Sequence, residues 1–138
     1  MARPASKHPT DGELEILRIL WANGSCTLAE VCDALRASRE VATTTVATML
    51  KVMLDKKLVK RKASTGRGYQ WSAAATQEKT AGGMVGKLVD GVFDGSASRL
   101  VAHLVETERL TAKDLAELEK LVDAKRREAN GAKRGGKS

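Results

Sequence analysis

The stretch Thr43–Trp71, TTTVATMLKVMLDKKLVKRKASTGRGYQW, decides how the rest of the chain is read. In its first half Val46, Met49, Leu50, Met53 and Leu54 recur at i, i+3, i+4, i+7 and i+8, the single apolar stripe of an amphipathic helix. The opposite face offers Thr44, Thr45, Thr48 and Lys51, short hydroxyls and one cation with nothing bulky among them. A plain solvated face would more often carry Glu, Lys and Ala, because β-branched Thr is a mediocre helix former. After Asp55-Lys56-Lys57 the period changes from 3.6 to 2. Val59, Arg61, Ala63, then Tyr69 and Trp71, alternate with polar residues, and Ser64–Gly68 supplies the turn. The pattern predicts a helix followed by a basic β-hairpin. Thr43, Thr44, Thr45, Thr48 and Lys51, with Lys60, Arg61, Lys62 and Arg67 on the hairpin, are the candidate DNA-contacting residues. Thr43 is also the expected cap of that helix, and Tyr69 and Trp71 are expected to pack the hairpin onto the first helix.

Working outward, Thr10-Asp11-Gly12-Glu13 and Thr27-Leu28-Ala29-Glu30 each match a capping box. The first opens a helix with Leu14, Ile16, Leu17, Leu20 and Trp21, stopped by Asn23-Gly24. The second opens a shorter helix with Leu28, Val31 and Leu35 inward. Three short helices and a two-stranded wing make a winged helix-turn-helix over residues 10–74, after a flexible lead-in at 1–9. Beyond it, QEKTAGGMVGKLVDGVF, SRLVAHLVETE and the run after Thr111 predict three more amphipathic helices over 75–124. Their core alone would be thin, so they are expected to hold two chains together through Val85, Leu88, Val89, Val92, Phe93, Leu100, Val101 and Leu104. The fold class expected is mainly α with a small β-hairpin wing, an N-terminal winged helix-turn-helix plus a C-terminal three-helix dimerisation region. The tail 125–138 reads as basic and disordered. Its cations would either embrace DNA or simply be solvated.

Charge is unevenly placed. Of the net +7, residues 43–71 carry seven Lys/Arg against one Asp, and the tail six against one Glu. Residues 76–124 are acidic, with nine carboxylates against six cations. This distribution favours a polyanion bound at defined places. Cys26 and Cys32 sit in a segment that looks helical and read as ordinary buried thiols; with His8 and His103 remote in sequence, no metal site or cofactor is expected. No triad, carboxylate pair or phosphate-cradling loop signals an enzyme. No apolar run approaches the roughly 20 residues of a membrane span, and the N-terminus lacks a secretory signal. The expected location is cytoplasmic.

DGELEILRILWANG, TTTVATMLKVMLDKKLVKR, GRGYQW and GSASRLVAHLVETERLTAKDLAELEKLV together resemble the penicillinase-repressor family, which includes the methicillin-resistance repressors; the resemblance covers about residues 10–124. It implies a homodimeric transcriptional repressor on a palindromic double-stranded operator, released by proteolysis after a membrane sensor-protease signal. Three departures bear on the transfer. Antibiotic-responsive members carry arginines on the recognition helix where this chain has Ala47 and Val52, which removes Arg–guanine contacts there. Their Asn-Phe scissile bond is matched by His103-Leu104, the possible cleavage position here. The C-terminal four-cysteine cluster of copper-responsive relatives is absent. The alternative reading is a winged-helix module that binds another protein without operator-specific DNA binding.

Overall fold

The computed structural model describes residues 8–135, with side chains through residue 131. The expected lead-in at 1–9 therefore falls largely outside the described residues. The elements in chain order are α1 (Asp11–Asn23), β1 (Ser25–Cys26), α2 (Leu28–Arg36), α3 (Thr43–Asp55), β2 (Val59–Ala63), β3 (Tyr69–Ala73), α4 (Gln77–Val92), α5 (Ala97–Glu106) and α6 (Ala112–Gly135). The fold is mainly helical with one small antiparallel sheet. Two compact units divide inside α4, Met1–Lys87 and Leu88–Ser138.

Unit 1 is built from the capping and periodicity signals. Both boxes form: the Thr10 hydroxyl accepts from the Glu13 amide at 3.2 Å while the Thr10 amide donates to Glu13 Oε1 at 2.9 Å. Thr27 and Glu30 repeat the same pair of bonds. At the end of α1, Gly24 takes φ +85°, where an L side chain is strained, and its amide reaches the Leu20 carbonyl. The inward faces of α1, α2 and α3 meet in one core of Ile16, Leu17, Leu20, Val31, Cys32, Leu35, Val46, Leu50 and Met53, closed by Cys26, Leu58, Val59 and Trp71. Met49 and Leu54 complete the α3 stripe as half-buried neighbours.

α3 hands over to the hairpin through a Schellman motif. The Leu58 amide bonds the Met53 carbonyl and the Lys57 amide bonds that of Leu54, with Lys57 at φ +64° where glycine is usual. The sheet has three strands in the order β1-β3-β2, not the two expected. β1 pairs Ser25 with Ser72 and Cys26 with Trp71. Cys26 thus stands on a strand rather than on a helix. A two-residue strand is too short to show a period of two, so its pairing arises only when β3 lies beside it. Trp71 is buried, and Trp21 Nε1 donates to the Ala75 carbonyl at 2.9 Å, which fastens α1 to the chain leaving β3. Tyr69, by contrast, stands exposed on the wing.

One buried charge pair crosses the unit. Glu13 Oε1 lies 2.7 Å from Lys56 Nζ, joining the first turn of α1 to the C-cap of α3, with both side chains less than a tenth exposed. Burial alone would raise the Glu13 carboxyl, but the Lys56 contact and the Thr10 bonds outweigh it and leave it below its ordinary value. A carboxyl lowered by folding contributes stability that is present above its unfolded value and lost as pH falls through its folded one. Unfolding free energy measured in denaturant titrations should therefore decline below about pH 4.5. Glu13→Gln should flatten that decline; an equally steep one in the variant would remove Glu13 as its source.

In the helical half, Ser96 caps α5 through the Arg99 amide at 3.2 Å, and Thr111 and Asp114 close a box at the start of α6. The expectation of a disordered tail from residue 125 is revised, because α6 continues through Gly135. The run AKRREA consists of strong helix formers with no proline, and Lys125 pairs with Glu128 at 3.3 Å along the helix. Residues 136–138 lie outside the described residues. No described residue of α4, α5 or α6 is buried.

Candidate nucleic-acid interface

α3 presents its polar face as the sequence predicts: Thr43, Thr44, Thr45, Thr48 and Lys51 are all exposed. Val52, on the same side, is 45% exposed, and Ala47 is half-buried. The Thr43 cap is corrected. The N-cap is Ala42, extended at φ −80° and ψ 144°, and no side chain caps the helix. Thr43 is already helical, and its hydroxyl accepts from Arg36 Nη2 at 2.8 Å. Arg36 Nε also donates to the Val41 carbonyl at 3.1 Å, so one guanidinium braces the turn between α2 and α3. This brace was not expected from sequence, because nothing local to Arg36 signals bonds to Val41 and Thr43, five and seven residues further on. An uncapped first turn leaves amide donors and the positive end of the helix dipole facing outward, an arrangement suited to a phosphate.

The hydroxyls are not equivalent. Thr48 Oγ1 donates to the Thr44 carbonyl at 2.9 Å, which spends its proton and leaves only acceptor capacity. In that rotamer Thr48 can take a bond from a base amino group but cannot donate to a phosphate oxygen. Thr43 has the opposite balance, since it accepts from Arg36 and keeps its own proton to donate.

The wing divides its cations. Lys60 pairs with Ser72, Arg61 with Trp71 and Lys62 with Gln70, so alternation sends Lys60 and Lys62 to one face and Arg61 to the other. The Arg61 guanidinium lies 4.0 Å from the Tyr69 ring centroid and 5.4 Å from that of Trp71. Tyr69 in turn meets Trp71 edge-on, with centroids 6.0 Å apart. At the tip, Gly68 takes φ +95° and closes the turn by accepting the Ser64 amide. Arg67, Gly68 and Tyr69 then line a groove of about 420 Å³ with Thr27, Ala29, Arg36 and Thr43. The wing tip, the start of α2 and the start of α3 thus share one concave surface. Arg67 and Thr43, 24 positions apart by their numbers, come together there.

Nothing in the site suggests bond-making chemistry. Burial and the nearby Glu30 carboxylate push the Cys26 thiol up, the direction of an unreactive cysteine. Glu30 itself is lowered by the Thr27 amide and hydroxyl bonds, consistent with its capping role. Among the described residues no group of three His, Cys, Asp or Glu could hold a metal. No described helix is long and apolar enough to cross a membrane.

Comparison with known proteins places this arrangement. The family model described as "Penicillinase repressor" matches residues 9–124. The chain belongs to the penicillinase repressor family. It is accordingly a winged-helix, DNA-binding transcriptional regulator and not an enzyme. A curated relative, an uncharacterized 16.5 kDa protein in the ptsI 3′ region of Latilactobacillus sakei, is 22% identical over 116 residues, covering 84% of this chain and 79% of the relative. Among solved structures, reduced MarR from E. coli aligns with a TM-score of 0.47 at 22% identity, over 84% of this chain and 76% of that one. A mutant MarR complexed with operator DNA gives 0.47 at 23%, over 84% and 74%. Lactococcus lactis ZitR gives 0.37 at 18%, over 83% and 81%.

The helical residues expected to pair two chains divide by exposure. Val85, Leu88, Val92 and Val101 are exposed, and Val89, Phe93, Leu100 and Leu104 are half-buried. Val105, Leu115, Leu121 and Val122 add exposed apolar surface that the candidate set omitted. Between α5 and α6, Val101, Val105, Leu115, Leu118 and Val122, with the charged Glu119, Asp123 and Arg126, line a groove of about 510 Å³. The His103-Leu104 bond lies inside α5, with the His103 ring 5.7 Å from that of Phe93.

Proposed function

We propose that this protein is a homodimeric repressor that binds a two-fold symmetric operator. In this reading α3 enters the major groove, Arg67 and the wing lysines meet flanking phosphates, and α4, α5 and α6 hold the two chains together. The observation that carries the DNA reading is the exposed, uncapped start of α3, with Lys51 further along the same helix and the wing tip beside it. The one on which the dimer rests is that α4–α6 expose Val85, Val92, Val101 and Val105 in a single chain. Covering such side chains contributes about 1.5–3 kcal/mol each when burial is complete, and a second copy with the same surface supplies the cover.

Thr44, Thr45 and Lys51 are the proposed base-edge or phosphate contacts, and Thr48 a base-edge contact that accepts from a base amino group. With Ala47 and Val52 in place of arginines, readout draws on hydroxyls and on apolar contact with thymine methyls. Lys51→Ala should weaken binding to the preferred duplex by about 1–3 kcal/mol if Lys51 meets a base edge. Equal losses on preferred and random duplex would assign it to a phosphate instead.

Selection of bound duplex from a random pool tests the whole reading. A palindrome should emerge, and its affinity should fall steeply with salt as counterions are released. Failure to enrich any sequence, together with a shallow salt slope, would remove it. Release by proteolysis belongs to the same proposal in restricted form: cleavage at His103-Leu104 requires α5 to unwind locally, since a protease takes an extended chain.

A further inference from the structure

The end of α6 carries a run of cations that the proposed interface at α3 and the wing does not use. From Lys125 to Gly135 the sequence holds Lys125, Arg126, Arg127, Lys133 and Arg134 against the single carboxylate of Glu128. The backbone is helical throughout this run, and every side chain described in it is exposed. Lys125 shares Glu128, whereas Arg126 and Arg127 have no ion-pair partner among the described residues. Like charges crowded along a helix oppose its formation by a few tenths of a kcal/mol per pair. An anion laid along it would reverse that sign.

The composition of the run narrows the anion. Its only apolar side chains are Ala129 and Ala132, so it offers no stripe with which to dock on a protein groove or lie in a membrane interface. Arg126 and Lys133, like Arg127 and Arg134, stand seven positions apart, two helical turns or about 10.5 Å. Cations spread along a rod suit a regularly charged polymer better than a single acidic pocket. The chain already carries a basic recognition stretch of the same sign, separated from this one by the acidic residues 76–124.

We propose that residues 125–135 of α6 form a second DNA contact, independent of sequence, in which the lysines and arginines neutralise duplex phosphates. The proposal rests on the DNA-binding reading above and adds an element lying past residue 124, where the family match ends. This contact raises affinity for all duplexes alike and leaves discrimination to α3.

The test uses the full chain with Lys125, Arg126, Arg127, Lys133 and Arg134 all replaced by Gln, which retains helix propensity. Binding of wild type and variant is titrated with salt on a random-sequence duplex and on the duplex selected from a random pool. Parallel titrations use polyglutamate and phosphatidylserine vesicles. The expected result is an equal fold-loss on both duplexes, with the log–log salt slope shallower by about 0.9 for each phosphate no longer neutralised, up to about 4.5 per chain. An unchanged slope on duplex overturns the proposal, including the case in which only polyglutamate or vesicle binding is weakened. A fold-loss on the selected duplex alone also overturns it. If neither protein prefers the selected duplex, the operator reading fails, while the difference in slope between the two proteins still reports on the tail.

Discussion

Lys56→Met is expected to destabilise unit 1 by about 3–5 kcal/mol, the cost of leaving one member of a buried ion pair without the other. The Glu13 carboxylate sits 2.7 Å from Lys56 Nζ, with side chains 6% and 9% exposed, so water cannot replace the missing cation. The two Thr10 bonds would remain, but they already serve as the cap of α1. At roughly 4–8 °C per kcal/mol for a domain of this size, the melting midpoint should fall by more than 10 °C. The matched control is Glu13→Gln on the Lys56→Met background, which removes the stranded charge while keeping an oxygen to accept from Thr10. It should recover a large part of the loss, and a double-mutant cycle reads the coupling. A single-variant loss under 1 kcal/mol would show that the pair is solvated in solution and does not anchor α3. Since Lys56 is the C-cap of α3, variants that remain folded should also bind DNA less tightly, because the polar tie between α3 and α1 is then lost.

The second large effect concerns the helices after the wing. Val101→Asp should convert the proposed dimer to a monomer by sedimentation and lower operator affinity by about 10²–10⁴-fold, because the second half-site then loses its effective-concentration advantage. Val101 suits the test better than Leu100 or Leu104. It is 45% exposed in the single chain, so an aspartate there meets solvent and leaves the lone chain's packing intact. The half-buried leucines would confound dissociation with unfolding. Unchanged sedimentation for Val101→Asp would reject the α5 surface as an interface, and a monomeric variant with full operator affinity would reject the need for pairing.

Most of the fold was legible because its signals are local. The boxes at Thr10 and Thr27 and the α3 stripe each act within a few residues, and each formed as read. The wing turn was readable from Ser64–Gly68 for the same reason. Contacts between distant residues were not. Glu13 and Lys56 lie 43 residues apart, and a glutamate that closes a capping box gives no sign that it also receives a lysine from another helix. β1 exists only through its partner β3. The Thr43 cap failed because three threonines in a row offer equal capping chemistry. The backbone bends one residue earlier, at Ala42, and Arg36 holds the Thr43 hydroxyl. The tail was misread because low hydropathy argues against a packed core but does not prevent a helix.

The Arg61–Tyr69 stack makes the wing's three adjacent cations unequal partners for any polyanion. Ordering a free lysine or arginine costs up to about 2 kcal/mol in side-chain conformational entropy. Lys60 and Lys62 incur that loss only when a ligand immobilises them. For Arg61 much of it is already incurred in folding, because the guanidinium lies over the Tyr69 ring, 4.0 Å from its centroid, before any partner arrives. Its donors therefore point in a set direction while the lysines sample many. The wing combines one pre-oriented guanidinium, which can favour a particular backbone geometry, with two adaptable ammonium groups that follow whatever shape the partner presents.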